Sequence, residues 1–226
     1  MADREAERSE VLERLSGIGV VPVVEIEDAA AAVELADALA SGGVGAAEIT
    51  FRTAAAADAI RAIAEARPDF LVGAGTVLTA EAIELAHDAG ASFAVSPGFG
   101  ERVAEAASRH GIPYIPGGST ATEIQHCLGA GYPLVKFFPA EALGGVAMLT
   151  ALAAPFQSYG VRFMPTGGIR VANAAAYLAK PWVACVGGTW LATRTALAER
   201  DFAAVRELAA EAAALVASAR GPASAS

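Results

Sequence analysis

Eight short apolar runs follow one another along the chain, and their regular spacing limits the fold more than any other feature. Each run is rich in Val, Ile, Leu, Ala or Phe, and successive runs begin 20 to 28 residues apart. That interval is the length of one strand followed by one helix. The runs are 19–26, 46–50, 70–76, 92–96, 113–117, 133–138, 161–167 and 182–188. Strands that alternate with helices in this way predict an α/β protein with a parallel sheet.

Eight strand–helix units in 226 residues are most economically closed into a (β/α)8 barrel, the TIM barrel. We also expect an extra N-terminal helix, at residues 3–15, across the amino-terminal end of that barrel. An open doubly wound sheet is the alternative topology. We predict a single domain over residues 1–220 and a disordered tail at 221–226, where the sequence is GPASAS.

The segments between the runs are rich in alanine and carry apolar residues at three- and four-residue spacing, which indicates amphipathic helices. Asp28 and Thr79 stand where helix N-caps are expected, and Gly42 stands where a helix is expected to stop.

Composition and charge exclude several classes of function. The formal net charge is −9, which argues against nucleic acid or an anionic membrane surface as a partner. No window holds eighteen uninterrupted apolar residues, and the first ten residues are polar and acidic, unlike a signal peptide. We therefore expect a cytoplasmic protein.

The cysteines and histidines show no pattern that would hold a metal ion. The two cysteines, Cys127 and Cys185, are far apart in sequence and lack a spacing motif. His87, His110 and His126 form no His-x-His or HExxH pattern. We expect buried structural thiols, no metal site and no cofactor.

The residues at the ends of the predicted strands interrupt the apolar pattern. They read EITFR, GAGT, SPG, IPGGST, KFFPAE, PTGGI and GGTW, and they collect Gly, Pro, Thr and charged residues. In a TIM barrel the active site lies at the carboxyl ends of the strands. The sequence therefore predicts the functional site at that end.

Lys136 is an unusual residue for its position in the sixth run. The chain has fourteen arginines and two lysines, yet a lysine stands within PLVKFF, on the same predicted face as Leu134 and Phe138. Burial removes hydration from an ammonium and favours the neutral amine, which arginine cannot supply. A neutral amine attacks a ketone and forms a Schiff base. The alternative is a structural lysine that extends its charge to solvent.

A Schiff-base lysine needs a partner that gives and takes protons. Glu48 in EITFR is the leading candidate, and alternation places Glu48, Thr50 and Arg52 on one face of the second strand. Arg52 would bind a substrate carboxylate through its planar guanidinium. A structural ion pair between Glu48 and Arg52 is the alternative.

Two glycine pairs end consecutive runs, Gly167–Gly168 in PTGGI and Gly187–Gly188 in VGGTW. Adjacent glycines let backbone N–H groups approach an oxyanion, and barrels of this kind commonly bind phosphate after strands seven and eight. Glycine also serves as an ordinary turn residue, but two pairs at consecutive strand ends favour a phosphate site.

Taken together, these motifs resemble one family. EITFRT, VGAGTVL, SPG, IPGGST, KFFPAE, PTGGI and GGTWL occur in the order and spacing of the 2-keto-3-deoxy-6-phosphogluconate (KDPG) aldolases, which include 4-hydroxy-2-oxoglutarate (KHG) aldolase activity. The resemblance extends from about residue 18 to about residue 192, and it implies a metal-free class I aldolase that assembles as a homotrimer. Such an enzyme would cleave KDPG to pyruvate and glyceraldehyde 3-phosphate through a Schiff base.

The resemblance also implies roles for individual residues. Lys136 resembles the Schiff-base lysine and Glu48 the general acid and base. The other positions that match the family's pocket are Arg52 near the substrate carboxylate, Thr76 and Pro97 around the pyruvyl part, Phe138 beside the lysine, and Thr166, Gly167, Gly168, Gly187, Gly188 and Thr189 toward the phosphate.

Three positions depart from the family's pattern. Relatives carry an apolar or basic residue at the position of Glu25, a larger residue at Gly118 and often serine at Thr189. If Glu25 faces the cavity, it is a second carboxylate that could alter the preference for substrate charge.

Other functions stay open at this point. One alternative is a Schiff-base aldolase for 4-hydroxy-2-oxoglutarate or another 2-keto-3-deoxy sugar acid. A phosphate-binding isomerase that uses Glu48 alone, or a non-catalytic sugar-phosphate binding protein, belongs to a different class and predicts no covalent adduct with pyruvate.

Overall fold

The computed structural model describes residues 2–221, so the predicted tail lies almost wholly outside the described residues. Eight strands fall inside the eight predicted runs. They are β1 (Val20–Val24), β2 (Ala46–Thr50), β3 (Leu71–Gly75), β4 (Phe93–Val95), β5 (Tyr114–Ile115), β6 (Leu134–Phe137), β7 (Arg162–Pro165) and β8 (Val186–Gly188).

Helices precede, connect and follow the strands. They are α1 (Ala2–Ile18), α2 (Ala32–Ser41), α3 (Ala56–Ala66), α4 (Ala80–Asp88), α5 (Glu101–His110), α6 (Ala121–Gly129), α7 (Gly145–Ala153), α8 (Val171–Leu178), α9 (Arg194–Ala198) and α10 (Phe202–Arg220). Two 3-10 helices, Ala29–Ala31 and Ala154–Tyr159, precede α2 and follow α7.

The strands are parallel, and six of them form one curled sheet in the order β5-β4-β3-β2-β1-β8. The last strand therefore pairs with the first, which is not the order of a doubly wound sheet. Strands β6 and β7 pair with each other, from Leu134 opposite Arg162 to Phe137 opposite Pro165. The α/β fold with parallel strands predicted from the runs is confirmed.

Single bridges connect the strand pair β6–β7 with the six-stranded sheet. Gly117 bridges to Lys136 on one side, and Phe163 to Val183 and Thr166 to Gly187 on the other. The ladder breaks at these edges because β5 has only two residues and because β8 begins at Val186, later than the predicted run.

The helix caps show how local sequence sets these boundaries. Thr79 is the predicted N-cap of α4, and its side chain accepts a hydrogen bond from the Ala82 amide. Gly42 is the C-cap of α2. Asp28 caps the 3-10 helix and accepts from the Ala30 amide, so α2 begins three residues later than this cap suggested.

Two apolar clusters lie on the two faces of the strands. On β6, Leu134 belongs to an inner cluster of strand residues that also contains Leu15 of α1. Val135 and Phe137 belong to the outer cluster, which packs the strands against the helices. The alternation predicted along this strand is confirmed, since successive side chains of a strand point to opposite faces.

Buried polar side chains are concentrated toward the carboxyl ends of the strands. In the described part of the chain they are Glu48, Thr50, Ser96, Lys136 and Thr166. The inner cluster itself consists of apolar residues, so these few polar groups are the exceptions in the interior. Within residues 2–221, no helix is both long enough and apolar enough to cross a membrane.

Candidate active site

A cavity of about 450 Å³ opens among the carboxyl ends of the strands, within the size range of pockets for small molecules. Most of the residues predicted for the site line it. They are Glu48, Arg52, Thr76, Pro97, Lys136, Phe138, Thr166, Gly167, Gly168, Gly188 and Thr189. Gly187 is not among them. It bridges to Thr166, and a side chain at Gly187 would meet the Thr166 hydroxyl 2.3 Å away, so Gly187 lies behind that residue.

Lys136 and Glu48 form a buried ion pair at the base of this cavity. The lysine Nζ donates to Glu48 Oε1 at 3.1 Å and lies 3.4 Å from Oε2. The Lys136 side chain is 6% exposed and that of Glu48 is fully buried. The ring of Phe138 lies beside the lysine, with its centroid 5.7 Å from Nζ. The lysine is thus buried as predicted, but its nearest partner is a carboxylate that can accept its proton.

Lys136 and Glu48, which are 88 positions apart, lie on strands that do not pair, and their side chains meet over the inner face of the strands. Glu48 pairs with Val23 on β1 and with Gly73 on β3, and its side chain leans over β3 toward the cavity. A Cβ atom at Gly75 would lie 2.1 Å from Glu48 Oε1. The second glycine of GAGT is therefore needed because the carboxylate occupies the space where a side chain would be.

Arg52 reaches the cavity from the turn that follows β2 rather than from the strand itself. Thr50, which was predicted to share a face with Glu48 and Arg52, donates its hydroxyl to the Val24 carbonyl at 3.0 Å and does not line the cavity. The Arg52 side chain is 52% exposed, and Nη1 lies 3.7 Å from Oε2 of Glu25. The alternative of a structural ion pair between Glu48 and Arg52 is not what the structure shows, since Glu48 pairs with Lys136 and Arg52 with Glu25.

Thr76 lines the cavity in a conformation that is uncommon for its residue type. Its φ is +57°, in the left-handed region that favours glycine, so the backbone at this position is strained. Strain of this kind is characteristic of functional loops. The threonine lies at the cavity wall together with Pro97, and the segments that carry the two residues are joined by the hydrogen bond from the Val77 amide to the Val95 carbonyl.

The far end of the cavity is formed by the loop after β7 and the end of β8. Gly167 and Gly168 have φ values of +98° and +79°, which allow a tight turn directly before α8. Glu141 packs against Gly168, and its backbone amide donates to the Gly167 carbonyl at 3.0 Å. The Glu141 carboxylate accepts a hydrogen bond from the Tyr177 hydroxyl at 2.5 Å.

Four lining residues were missed by the sequence predictions: Val23, Ile169, Arg170 and Trp190. Arg170 follows PTGGI directly, and a cation beside a glycine pair is a signal that could have identified it. Trp190 follows Thr189, and its ring lies against Gly188. Val23 and Ile169 are apolar residues next to strand ends and carry no comparable signal.

The cavity is positively charged although the chain is acidic. Arg52, Lys136 and Arg170 contribute three positive charges and Glu48 one negative charge, a formal sum of +2, against −9 for the whole chain. Low-dielectric walls focus such a local field and attract anionic ligands. The cavity is thus suited to a substrate that carries more than one negative charge.

The cysteines lie away from this cavity. Cys127 and Cys185 are buried free thiols, and desolvation raises the pKa of each to about 12, so both are unreactive near neutral pH. Among the described residues, no group of three or more His, Cys, Asp and Glu side chains is placed to hold a metal ion.

Known proteins are similar to this chain in both sequence and fold. The sequence model of the KDPG and KHG aldolase family matches residues 11–208. The 2-dehydro-3-deoxy-phosphogluconate aldolase of Treponema pallidum is 50% identical over 198 residues, which cover 88% of this chain and 93% of that protein. The KHG/KDPG aldolase of Escherichia coli K12 is 48% identical over 193 residues, which cover 85% of this chain and 90% of that protein.

Solved structures agree with this result. The KDPG aldolase of Legionella pneumophila, in which pyruvate was captured at low pH as a covalent carbinolamine intermediate, superposes with a TM-score of 0.84 at 39% identity and covers 88% of this chain and 96% of that chain. The 2-keto-3-deoxy-6-phosphogluconate aldolase of Zymomonas mobilis ZM4 was solved with 3-phosphoglycerate. It superposes with a TM-score of 0.82 at 39% identity, and the match covers 90% of this chain and 95% of that chain.

Proposed function

The chain belongs to the KDPG and KHG aldolase family, and from this premise we propose that it is a class I aldolase that cleaves KDPG to pyruvate and glyceraldehyde 3-phosphate. Lys136 is the nucleophile that forms the Schiff base, and Glu48 is the general acid and base. The observation that carries this proposal is the buried contact between the two, 3.1 Å from Nζ to Oε1, at the base of a cavity for small molecules.

The contact between Lys136 and Glu48 provides the proton transfer that the reaction needs first. An ammonium is not a nucleophile, so Lys136 must lose a proton before it attacks a ketone. Glu48 is in hydrogen-bond reach of that proton, and it is the one carboxylate among the described residues that line the cavity. The proton passes from Nζ to Oε1 across this contact as the amine attacks the ketone of the substrate.

The bonds then change in a balanced sequence. The Lys136 amine adds to the C2 ketone to give a carbinolamine, and Glu48 protonates the hydroxyl that leaves as water. The resulting iminium accepts the electron pair of the C3–C4 bond while the ionised Glu48 takes the proton of the C4 hydroxyl, so an aldehyde is released. Glu48 returns that proton to C3 of the remaining enamine, and water hydrolyses the new iminium to pyruvate and the ammonium of Lys136.

The arrangement of charges orients the substrate in the cavity. Arg52 binds the C1 carboxylate through its guanidinium, and Thr76, Pro97 and Phe138 surround the pyruvyl part. The phosphate lies at the opposite end, near Thr166, the Gly167–Gly168 turn, Gly188 and Thr189, where the amino terminus of α8 and the Arg170 side chain add positive potential. The net positive charge of the cavity supports an anion at each end.

4-Hydroxy-2-oxoglutarate is a second candidate substrate. The Escherichia coli relative at 48% identity bears both activities in its name. This substrate carries a carboxylate where KDPG carries its phosphate-bearing chain, and Arg170 would serve either anion. The two substrates undergo the same bond changes at Lys136.

We propose the finer points of architecture on the same basis. Strands β1 to β8 close into a (β/α)8 barrel through the bridges at Lys136, Phe163 and Thr166. Helix α1 covers its amino-terminal end, where Leu15 packs into the inner cluster. The resemblance supports a homotrimer, which predicts a mass in solution of about three times 22.8 kDa. A phosphorylated substrate does not cross membranes freely, so a cytoplasmic location fits this function.

The experiment that tests the proposal is reduction with borohydride in the presence of pyruvate, followed by peptide mass spectrometry. We expect a pyruvyl adduct on Lys136. The only other lysine is Lys180, so the Lys180→Arg variant is a matched control that keeps the adduct, and Lys136→Arg loses it. A folded protein without an adduct on Lys136 would overturn the Schiff-base mechanism. Release of pyruvate from KDPG, measured with lactate dehydrogenase, identifies the substrate.

A further inference from the structure

Glu25 is an acidic residue beside Arg52 that does not itself line the cavity and that the proposed reaction does not use. It follows β1 directly, and its side chain is 18% exposed. One carboxylate oxygen, Oε2, lies 3.7 Å from Nη1 of Arg52. The other, Oε1, accepts a hydrogen bond from Nη2 of Arg194, at the start of α9. Glu25 therefore stands between two guanidinium groups, of which only that of Arg52 lines the cavity.

The contact with Arg52 matters because that guanidinium is the proposed ligand of the substrate's C1 carboxylate. A carboxylate of the protein and a carboxylate of the substrate compete for the same N–H donors. Even without a direct clash, a negative charge close to the binding position repels a second one. Glu25 alone would thus weaken the binding of any 2-oxo acid.

Arg194 counteracts this effect. Its hydrogen bond holds the Glu25 carboxylate, and it is the largest cause that lowers the pKa of Glu25, so the carboxylate is ionised and directed toward Arg194. The contact between Glu25 and Arg52, at 3.7 Å, is beyond hydrogen-bond distance. Arg52 therefore keeps donors for a ligand as long as Arg194 retains Glu25.

We infer that Glu25 is a specificity-determining residue. Its carboxylate contacts both Arg52 and Arg194, and the balance between these two contacts sets the affinity of the cavity for the carboxylate of its 2-oxo acid substrate. Arg194 is the positioning residue that holds Glu25 away from the binding guanidinium. This inference rests on the proposed function, since it requires that Arg52 binds the substrate carboxylate. It predicts that removal of the Glu25 carboxylate strengthens substrate binding and that removal of the Arg194 guanidinium weakens it. A purely structural ion pair would not produce opposite effects.

The test measures the pyruvate concentration that gives half-maximal borohydride trapping on Lys136, together with KM and kcat for KDPG cleavage. We expect Glu25→Gln to lower the half-saturating pyruvate concentration about two- to fivefold and Arg194→Gln to raise it by a similar factor, the range for exposed ion pairs. In the Glu25→Gln background, the Arg194→Gln effect should disappear, because Arg194 then has no carboxylate to hold. We expect KM to change more than kcat in these variants.

Two controls separate this mechanism from a general change in charge. Arg162, at the amino-terminal start of β7, pairs with Glu13 at 2.8 Å away from the cavity lining, so Arg162→Gln and Glu13→Gln make the same charge changes and should leave the half-saturating concentration unaltered. Pyruvamide, which has the ketone but no carboxylate, should be trapped equally by wild type and Glu25→Gln.

The outcomes distinguish this inference from the function on which it rests. No adduct on the folded wild-type protein overturns both. An adduct whose pyruvate dependence is unchanged in Glu25→Gln and Arg194→Gln overturns only the inference. Weaker pyruvate binding in Glu25→Gln also overturns it, because that result means that Glu25 orients Arg52 for the substrate.

Discussion

Two sets of ion pairs lie at the same end of this molecule and differ mainly in their exposure to water. Lys136 and Glu48 pair at 3.1 Å with side chains 6% and 0% exposed. Glu25 lies between Arg52 and Arg194, whose side chains are 52% and 71% exposed. Two charges at a given separation attract each other several times more weakly near water than in a buried site, and exposed ion pairs contribute little to stability.

The comparison indicates which pair is retained for chemistry. Burying two charges costs desolvation energy that the attraction between them scarcely repays, so apolar residues of similar volume are often as stable. A buried lysine and glutamate at the base of a cavity therefore need another reason to persist, and proton transfer between them is such a reason. The exposed set carries no such cost and can adjust binding by small increments.

The largest effect is expected from replacing the buried nucleophile. Lys136→Arg and Lys136→Ala should both lower kcat/KM for KDPG by at least about three orders of magnitude, because the reaction needs an amine and a positive charge does not replace it. The measurement is pyruvate release followed with lactate dehydrogenase. If Lys136→Arg kept a tenth of the wild-type activity, the lysine would act through its charge.

Removing one partner of the buried pair should also destabilise the fold. Lys136→Met leaves the fully buried Glu48 carboxylate without its cation, which is expected to cost about 3–5 kcal/mol in the free energy of unfolding. The double variant Lys136→Met with Glu48→Leu should recover most of that loss. Urea denaturation measures both. A double variant as unstable as the single one would mean that the site tolerates no apolar replacement.

Glu48→Gln keeps the size of the side chain and an acceptor for Lys136 but removes the proton carrier. We expect turnover to fall about a hundredfold or more, with a parallel loss of deuterium exchange into the methyl group of pyruvate. That exchange reports enamine formation without the aldehyde. Near-normal exchange in this variant would transfer the proton-carrying role to another group or to water.

Much of this arrangement could be predicted from the sequence, because strand spacing and strand ends are local properties. All eight strands fall in predicted apolar runs, and Lys136 was marked by its own context in PLVKFF. Glu48 was predicted as the proton-transfer partner of Lys136 from the chemistry of a Schiff base, but the direct contact between the two side chains could not be predicted from local spacing, since it depends on how strands far apart in the chain come together. The same limit explains why Glu48 was considered as a partner of Arg52.

The differences between the sequence predictions and the structure have equally specific causes. Gly187 was predicted together with Gly188 as a substrate-binding pair, but only Gly188 lines the cavity, because adjacent residues of a strand face opposite sides. Thr50 was assigned by alternation to the face of Arg52, yet Arg52 lies in a turn where that period no longer holds. Trp190 follows the strand and returns over Gly188, a path that sequence spacing does not reveal.

An intermediate effect is expected at the phosphate end of the cavity. Thr189→Val should raise KM for KDPG about tenfold through the loss of a hydrogen bond to a charged group, and leave the unphosphorylated 2-keto-3-deoxygluconate unaffected. Thr195→Val, on the exposed face of α9, is the matched control. Equal effects on both substrates would remove Thr189 from the phosphate site.

The smallest effect is expected from the exposed pair, and it completes the comparison. The hydrogen bond from Arg194 lowers the pKa of Glu25 below its ordinary value of 4.5. A group whose pKa is lowered on folding stabilises the fold above its unfolded pKa and loses that contribution as the pH falls through its folded pKa. Glu25→Gln should therefore lower the melting temperature at pH 7 by less than about 3 °C, and this difference should shrink as the pH is brought below 4.5. Thermal unfolding of wild type and variant at several pH values measures it. A decrease in the stability of Glu25→Gln at pH 7 as large as that of Lys136→Met would mean that Glu25 supports the fold. The contrast between a buried catalytic pair and an exposed adjustable pair would then no longer hold.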